Sequence, residues 1–213
     1  DVYTDNVRST VEQDLAKDPE LTRVAIGEIR PTDVATFLLK PDPRQLKFGA
    51  VIINRNWCPS GISALHSFSE LMRQACLPVL DLRASEIDVG LYPQSLNQVY
   101  GNDFNQDGLR TARIFIADRL ENGAGFAPEI ASAEVFEKIM NQINQTDAIQ
   151  FDTDSHQSCE SSCMDCVQSW ENRFMHHQLD WRLALDVADL AMGEDLTLRR
   201  WFPRSERIAN LFK

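Results

Sequence analysis

Apolar and polar positions alternate over residues 22–29, with Val24, Ile26 and Glu28 on one face, and this period predicts a half-buried strand. Arg30-Pro31-Thr32-Asp33 reads as a turn and residues 34–39 as a second strand; so short a connection favours antiparallel pairing. Lys40-Pro41-Asp42-Pro43 breaks the pattern, and residues 48–53 predict a third, more buried strand. The period then becomes helical over residues 62–77. Leu65, Phe68, Leu71, Met72 and Ala75 share a face, Ser60 is the candidate cap and Pro78 the stop. Residues 80–82 and 87–91 predict edge or hairpin strands, residues 93–110 a polar surface loop, and residues 113–118 the strongest strand of the chain. A glycine turn, Gly123-Ala124-Gly125, leads to a helix over 128–145 with Ile130, Val135, Ile139 and Ile143 on its apolar face. A last helix spans 178–192. Its stripe of Leu179, Leu183, Val187 and Leu190 is widened by Trp181, Leu185, Ala188 and Met192, while Arg182 and Asp186 read as a surface pair and Gly193 as the stop. Trp201 and Phe202 are expected to tuck back onto the body.

These elements make an α+β chain: a mixed, largely antiparallel sheet of about five strands with packed helices and a C-terminal knuckle plus helix. Residues 1–20 read as an N-terminal extension, 21–150 as an α/β body, and 151–213 as knuckle, helix and basic tail that form one compact domain with the body. The length of 213 residues suffices for a substantial core. No apolar run reaches the roughly 18 residues of a membrane span, and the first residues carry neither an initiator Met nor a signal-like segment. The expectation is a piece of a longer cytoplasmic polypeptide.

Charge narrows the partners. A net charge of −11 argues against a surface that coats nucleic acid, which needs Lys and Arg. From Arg199 onward the sign reverses, with Arg199, Arg200, Arg204, Arg207 and Lys213 against the single acid Glu206, so this end can meet phosphate or an acidic neighbour.

The concentrated chemistry lies in His156-Gln-Ser-Cys159-Glu-Ser-Ser-Cys163-Met-Asp-Cys166. Thiolates spaced C-x3-C-x2-C converge on one soft or borderline cation, and an odd total of 5 cysteines fits a reduced, metal-binding chain better than a disulfide framework. Zn²⁺ in a tetrahedral site needs a fourth ligand. His156 stands nearest, with His176 or His177 as alternatives and the distant Cys58 and Cys76 behind them. A site closed by four protein ligands folds the chain and does no chemistry. The glycine turn could seat a phosphate on the following helix, yet it lacks the Lys and Ser/Thr of a P-loop; a tight packing turn is the better reading.

The run from Cys159 through Cys163, Cys166, Trp170, Asn172 and Arg173 to His176, Leu179-Asp180-Trp181-Arg182 and Asp186 resembles the signature of the MrfA-like zinc-binding domain. The segments around Thr32-Asp33-Val34, Ser63-Ala64-Leu65, Leu80-Asp81 and residues 116–126 are also similar to that family, so the resemblance covers most of residues 30–192. Many members carry four cysteines, whereas this chain offers a histidine for the fourth place. Val167 and Trp170 stand where Leu and Tyr are commoner, within an apolar face. Such domains occur at the C-terminal end of bacterial superfamily 2 helicases and in DrmB-like subunits of DISARM phage defence. The resemblance therefore implies a zinc-stabilised accessory domain that positions DNA or a partner, with the helicase core in the same chain or in a separate subunit. With no G-x4-G-K-[ST] sequence, the chain is not itself the motor. Arg173, Arg182, Arg199 and Arg200 are the candidate contacts to phosphate or partner. The competing expectation is a metal-dependent nuclease or other phosphodiester-processing domain using Asp81, Glu86, Asp88, Asp103, Asp107 and Asp118.

Overall fold

The computed structural model describes residues 31–39, 50–53, 56–95, 110–153, 156 and 158–211. The expected extension at 1–20, the strand at 22–29, and Asp103 and Asp107 lie outside these residues. In chain order the strands are β1 (Val34–Phe37), β2 (Ala50–Ile53), β3 (Asn56–Trp57), β4 (Ile87–Ser95) and β5 (Arg110–Asp118). The helices are α1 (Pro59–Leu80), α2 (Phe126–Ile130), α3 (Ala133–Gln142), α4 (Ala148–Phe151), α5 (Trp181–Ala191) and α6 (Phe202–Asn210).

The sheet is built on β5. Along one edge it pairs with the whole of β4, from Ile87 opposite Asp118 to Ser95 opposite Arg110. Along the other, β1 pairs with its C-terminal half, Val34 opposite Ala117, and β2 with its first residues, Ala50 opposite Thr111. Every described pairing is antiparallel. The sheet is therefore an antiparallel β4–β5–β1 core of three strands, narrower than the expected sheet of about five. The reason is that β1 and β2 share one edge of β5 end to end, and β3 is a two-residue return of β2. β5 is the strongest strand of the sequence because Ala112, Ile114 and Ile116 are buried on one face while Thr111 and Ala117 are buried on the other. Gly90 faces Phe115 across the β4–β5 ladder, where a Cβ would lie 2.7 Å from the ring, so no other residue fits there without displacing it.

α1 crosses this sheet with the face its spacing implies. Leu65, Phe68, Leu71, Met72, Ala75 and Cys76 are all at most 2 % exposed. The helix starts earlier than Ser60: Cys58 is the cap residue and Pro59 takes the first position, where a missing N–H costs nothing. It also runs through Pro78, whose absent donor falls in the last turn. The chain leaves α1 at Asp81 in the left-handed region, φ 53°, and the amides of Asp81 and Leu82 both return to the Leu77 carbonyl. Residues 80–82 are thus a helix terminus, not the expected strand.

The expected helix over 128–145 is interrupted. Ser132 caps a fresh start by accepting from the Val135 amide, and after α3 the chain widens into a π turn, Ile143–Asp147, before α4. Ile130, Val135, Ile139 and Ile143 are buried as the period required. α5 begins at Trp181, capped by Asp180, after a separate 3-10 helix, Arg173–Gln178. α1 packs on the sheet, on α3 and on α5, which gathers the core between the β4–β5 face and the C-terminal helix. The described residues belong to one compact unit, Pro31–Lys213. Among them no helix is long and apolar enough to cross a membrane.

Candidate metal centre

The chain reaches the cysteine run directly from α4. The Phe151 carbonyl at its end lies 2.9 Å from His156 Nδ1. A carbonyl can only accept, so Nδ1 carries the proton and Nε2 is left with its lone pair, the tautomer a metal-binding imidazole requires. That Nε2 lies 3.5 Å from Cys163 Sγ, and Cys163 Sγ lies 3.7 Å from Cys166 Sγ. The donor atoms of His156, Cys159, Cys163 and Cys166 all fall within 4.8 Å of one another, the one such cluster among the described residues. Tetrahedral zinc with ordinary bond lengths has S···S edges of about 3.8 Å and S···N edges of about 3.6 Å. The donor types and spacings therefore fit Zn²⁺.

The turn itself follows from the C-x-x-C spacing. The Cys163 amide donates to Cys166 Sγ at 3.1 Å, and the amides of Cys166 and Gln168 donate to the Cys163 carbonyl. Burial, and then the adjacent Cys163 thiol, push the Cys159 thiol up to about 11. Burial also pushes the Cys166 thiol up. Without a cation these sulfurs stay neutral; a divalent ion supplies the charge that makes thiolates favourable there, so binding releases protons.

One side of the cluster is packed against the body, while Cys159 and Cys163 are half-buried. His156 is 8 % exposed, with its ring centroid 5.0 Å from that of Trp181 and 5.5 Å from that of Phe151. The Trp181 amide donates to the Ser161 carbonyl, fastening the start of α5 to the knuckle. Arg182 is the larger surprise. Rather than forming a surface pair with Asp186 it is fully buried, and its guanidinium donates to the carbonyls of Cys159, Glu160 and Arg200. It is a strut between the metal loop and the C-terminal segment. Asp186 instead accepts from Arg200 and from the Trp201 indole. Arg200 is also bonded to Asp189 and is 8 % exposed. Arg182 and Arg200 therefore leave the group of phosphate contacts, because their donors are used inside the protein. Arg173 and Arg199 are exposed, and Arg199 is paired with Asp152 at 2.9 Å.

The other sequence candidates separate. His176 Nε2 is 3.0 Å from the Ser169 carbonyl, and His177 faces Gln178; neither belongs to the cluster. Cys76 lies on the buried face of α1, where burial pushes its thiol up to about 12, and Cys58 stands at the N-cap position of α1. Val167 is buried, whereas Trp170 is 71 % exposed, so the expected shared apolar face does not exist. Trp201 tucks inward as expected, but Phe202 is 60 % exposed.

The acidic body has no magnesium-like grouping among the described residues. Asp118, its best candidate, is fully buried at the end of β5. Its carboxylate accepts four amides, those of Ala124, Gly125, Phe126 and Ala127, at 2.7 to 3.1 Å. The glycine turn is thus an anion cradle already filled by the chain's own carboxylate, with Gly123 and Gly125 at φ 79° and 89°. Asp88 pairs with Arg119, and Glu86 accepts from the Arg83 amide.

Comparison with protein families gives a match to the MrfA Zn-binding domain over residues 68–167. That match covers a little under half of the 213-residue chain. The matched segment holds α1 from Phe68 onward, β4, β5 and all four donors of the cluster, and it ends just after Cys166. Asn172, His176 and Asp180, which carried part of the resemblance, lie beyond it. Asn172 closes the 169–172 turn by accepting from the Ser169 amide and donating to the Val167 carbonyl. Asp180 caps α5 and pairs with Arg204 at 2.5 Å. No curated protein and no solved structure matches the chain.

Proposed function

We propose that His156, Cys159, Cys163 and Cys166 hold one Zn²⁺ as a closed structural site, and that the chain is a non-catalytic accessory domain of a DNA-processing helicase assembly. The helicase core stands in the same polypeptide or in a separate subunit, and the zinc-locked C-terminal half positions DNA or that partner. The observation that carries this reading is the four-donor cluster itself. All four tetrahedral places have a protein donor, so none is open to water or substrate. The family match over the same residues supports the zinc assignment, and of the four candidate arginines Arg173 and Arg199 remain exposed, Arg199 already paired with Asp152.

Elemental analysis tests the zinc half. Close to one zinc per chain, lost together with cooperative melting in Cys163→Ser, is expected; well-folded protein without metal would overturn it. The accessory role is tested by adding the zinc-loaded chain to the helicase core encoded with it. Altered DNA-stimulated ATPase or unwinding is expected, and no change in either counts against the assignment.

A further inference from the structure

Two large rings stand on the surface beside the knuckle, Trp170 at 71 % and Phe174 at 70 % exposure. The Arg173 guanidinium lies between them, 4.6 Å from the Trp170 centroid and 4.3 Å from that of Phe174. One of its donors goes to the Trp170 carbonyl at 2.9 Å. Arg73, Arg119, Arg199, Arg200 and Arg204 are each held by a carboxylate, but Arg173 has no ion pair among the described residues. Arg173 is itself exposed, as both rings are.

The stack is also held from beneath. Asn172 closes the turn that carries Trp170, and Arg73 donates to Ser169 Oγ at 2.7 Å while paired with Glu70 at 2.5 Å inside α1. Glu70 and Arg73 are at most 4 % exposed. A buried ion pair thus anchors the loop that displays two exposed aromatics, so the rings are presented rather than left to collapse onto the body.

We propose that Trp170, Arg173 and Phe174 form a stacking platform for single-stranded nucleic acid, the rings taking one or two bases and the guanidinium edge a phosphate. Rings accept any base on their faces, and a stacked arginine adds a phosphate donor without a carboxylate competitor. A chain of net charge −11 cannot retain a strand by charge alone, so stacking carries the affinity. The inference deepens the accessory-domain reading and rests on it only in that zinc holds the knuckle carrying the stack.

The test titrates the zinc-loaded full chain into fluorescein-labelled oligothymidine of about ten nucleotides, read by anisotropy, alongside duplex DNA of the same length. Saturable single-strand binding is expected, with a log–log salt slope of only about −0.7, the value for one phosphate. Trp170→Ala and Phe174→Ala each weaken it roughly tenfold, and Trp170→Phe keeps most of it. Arg173→Lys retains the slope but loses affinity, since an ammonium does not stack as a planar guanidinium does. Zinc content and melting of every variant are measured in parallel, so failure of the zinc scaffold is read separately from failure of the platform. No single-strand binding by the wild type at low salt overturns the proposal and leaves the stack to a protein surface. Equal binding by wild type and the Trp170→Ala/Phe174→Ala double variant overturns it too, and duplex binding unaffected by these variants then leaves the accessory role standing.

Discussion

Arg182 and His156 show how single residues set this site. Arg182 serves three carbonyls from a fully buried position. Arg182→Ala leaves them without a donor, and a loss of about 3–5 kcal/mol in denaturant-derived stability is expected, together with faster zinc loss to a chelator. Arg182→Lys does not restore either, because one ammonium cannot span three acceptors fixed for a guanidinium fork. For His156, replacement by Gln removes the Nε2 donor but not the volume; zinc competition assays are expected to show at least a tenfold weaker site, of the order seen when a metal shell is disturbed. The cysteines were legible from spacing alone, since a C-x-x-C turn is local. His156 was the nearest of several candidates, and the fold separates it from His176 and His177 by placing its Nε2 3.5 Å from Cys163 Sγ. Arg182 carried one signal that could have been used: a lone cation inside the apolar run Leu179-Asp180-Trp181-Arg182-Leu183-Ala184-Leu185. Its spacing from Asp186 fits a surface pair equally well, so pattern could not decide.

At the level of elements, the turn after β5 is locked by Asp118. Replacing it with Ala strands four amides at a buried turn, and about 3 kcal/mol of destabilisation is expected by chemical unfolding, with zinc content unchanged in the folded fraction. α1 carries a pH-dependent term. Burial lowers the His66 pKa from 6.5 to about 4, so the unfolded chain binds the extra proton between these values. Stability from neutral His66 is present above about pH 6.5 and is lost as the pH falls toward 4, by about 2–3 kcal/mol at most. His66→Leu is expected to flatten the slope of stability against pH in that window relative to wild type. Strand and helix existence followed the periodicity closely for β1, β4, β5, α1 and α5. The endings did not, because period does not encode them: α1 runs on to Leu80 although Pro78 removes one i→i−4 donor, and Ser132, in an extended backbone conformation, caps the start of a new helix.

Across the whole molecule, the zinc loop is bonded to α5, α5 packs on α1, and α1 lies on the sheet, so metal removal should propagate beyond the knuckle. Chelation is expected to lower the melting temperature and broaden the transition. Returning zinc should raise the midpoint with the logarithm of free metal, as binding to the folded state alone requires. What the sequence by itself determined is what local chemistry and periodicity can state: an α+β chain, its buried faces, and three thiols that converge on zinc. Tertiary structure decided the rest, namely which histidine joins them, that Arg182 and Arg200 are internal struts, that Asp118 fills the glycine turn, and that Trp170 faces solvent. Each of these depends on which carbonyl, amide or carboxylate the folded backbone brings beside the side chain, from five residues away for His156 to 23 for Arg182, and periodicity does not encode that.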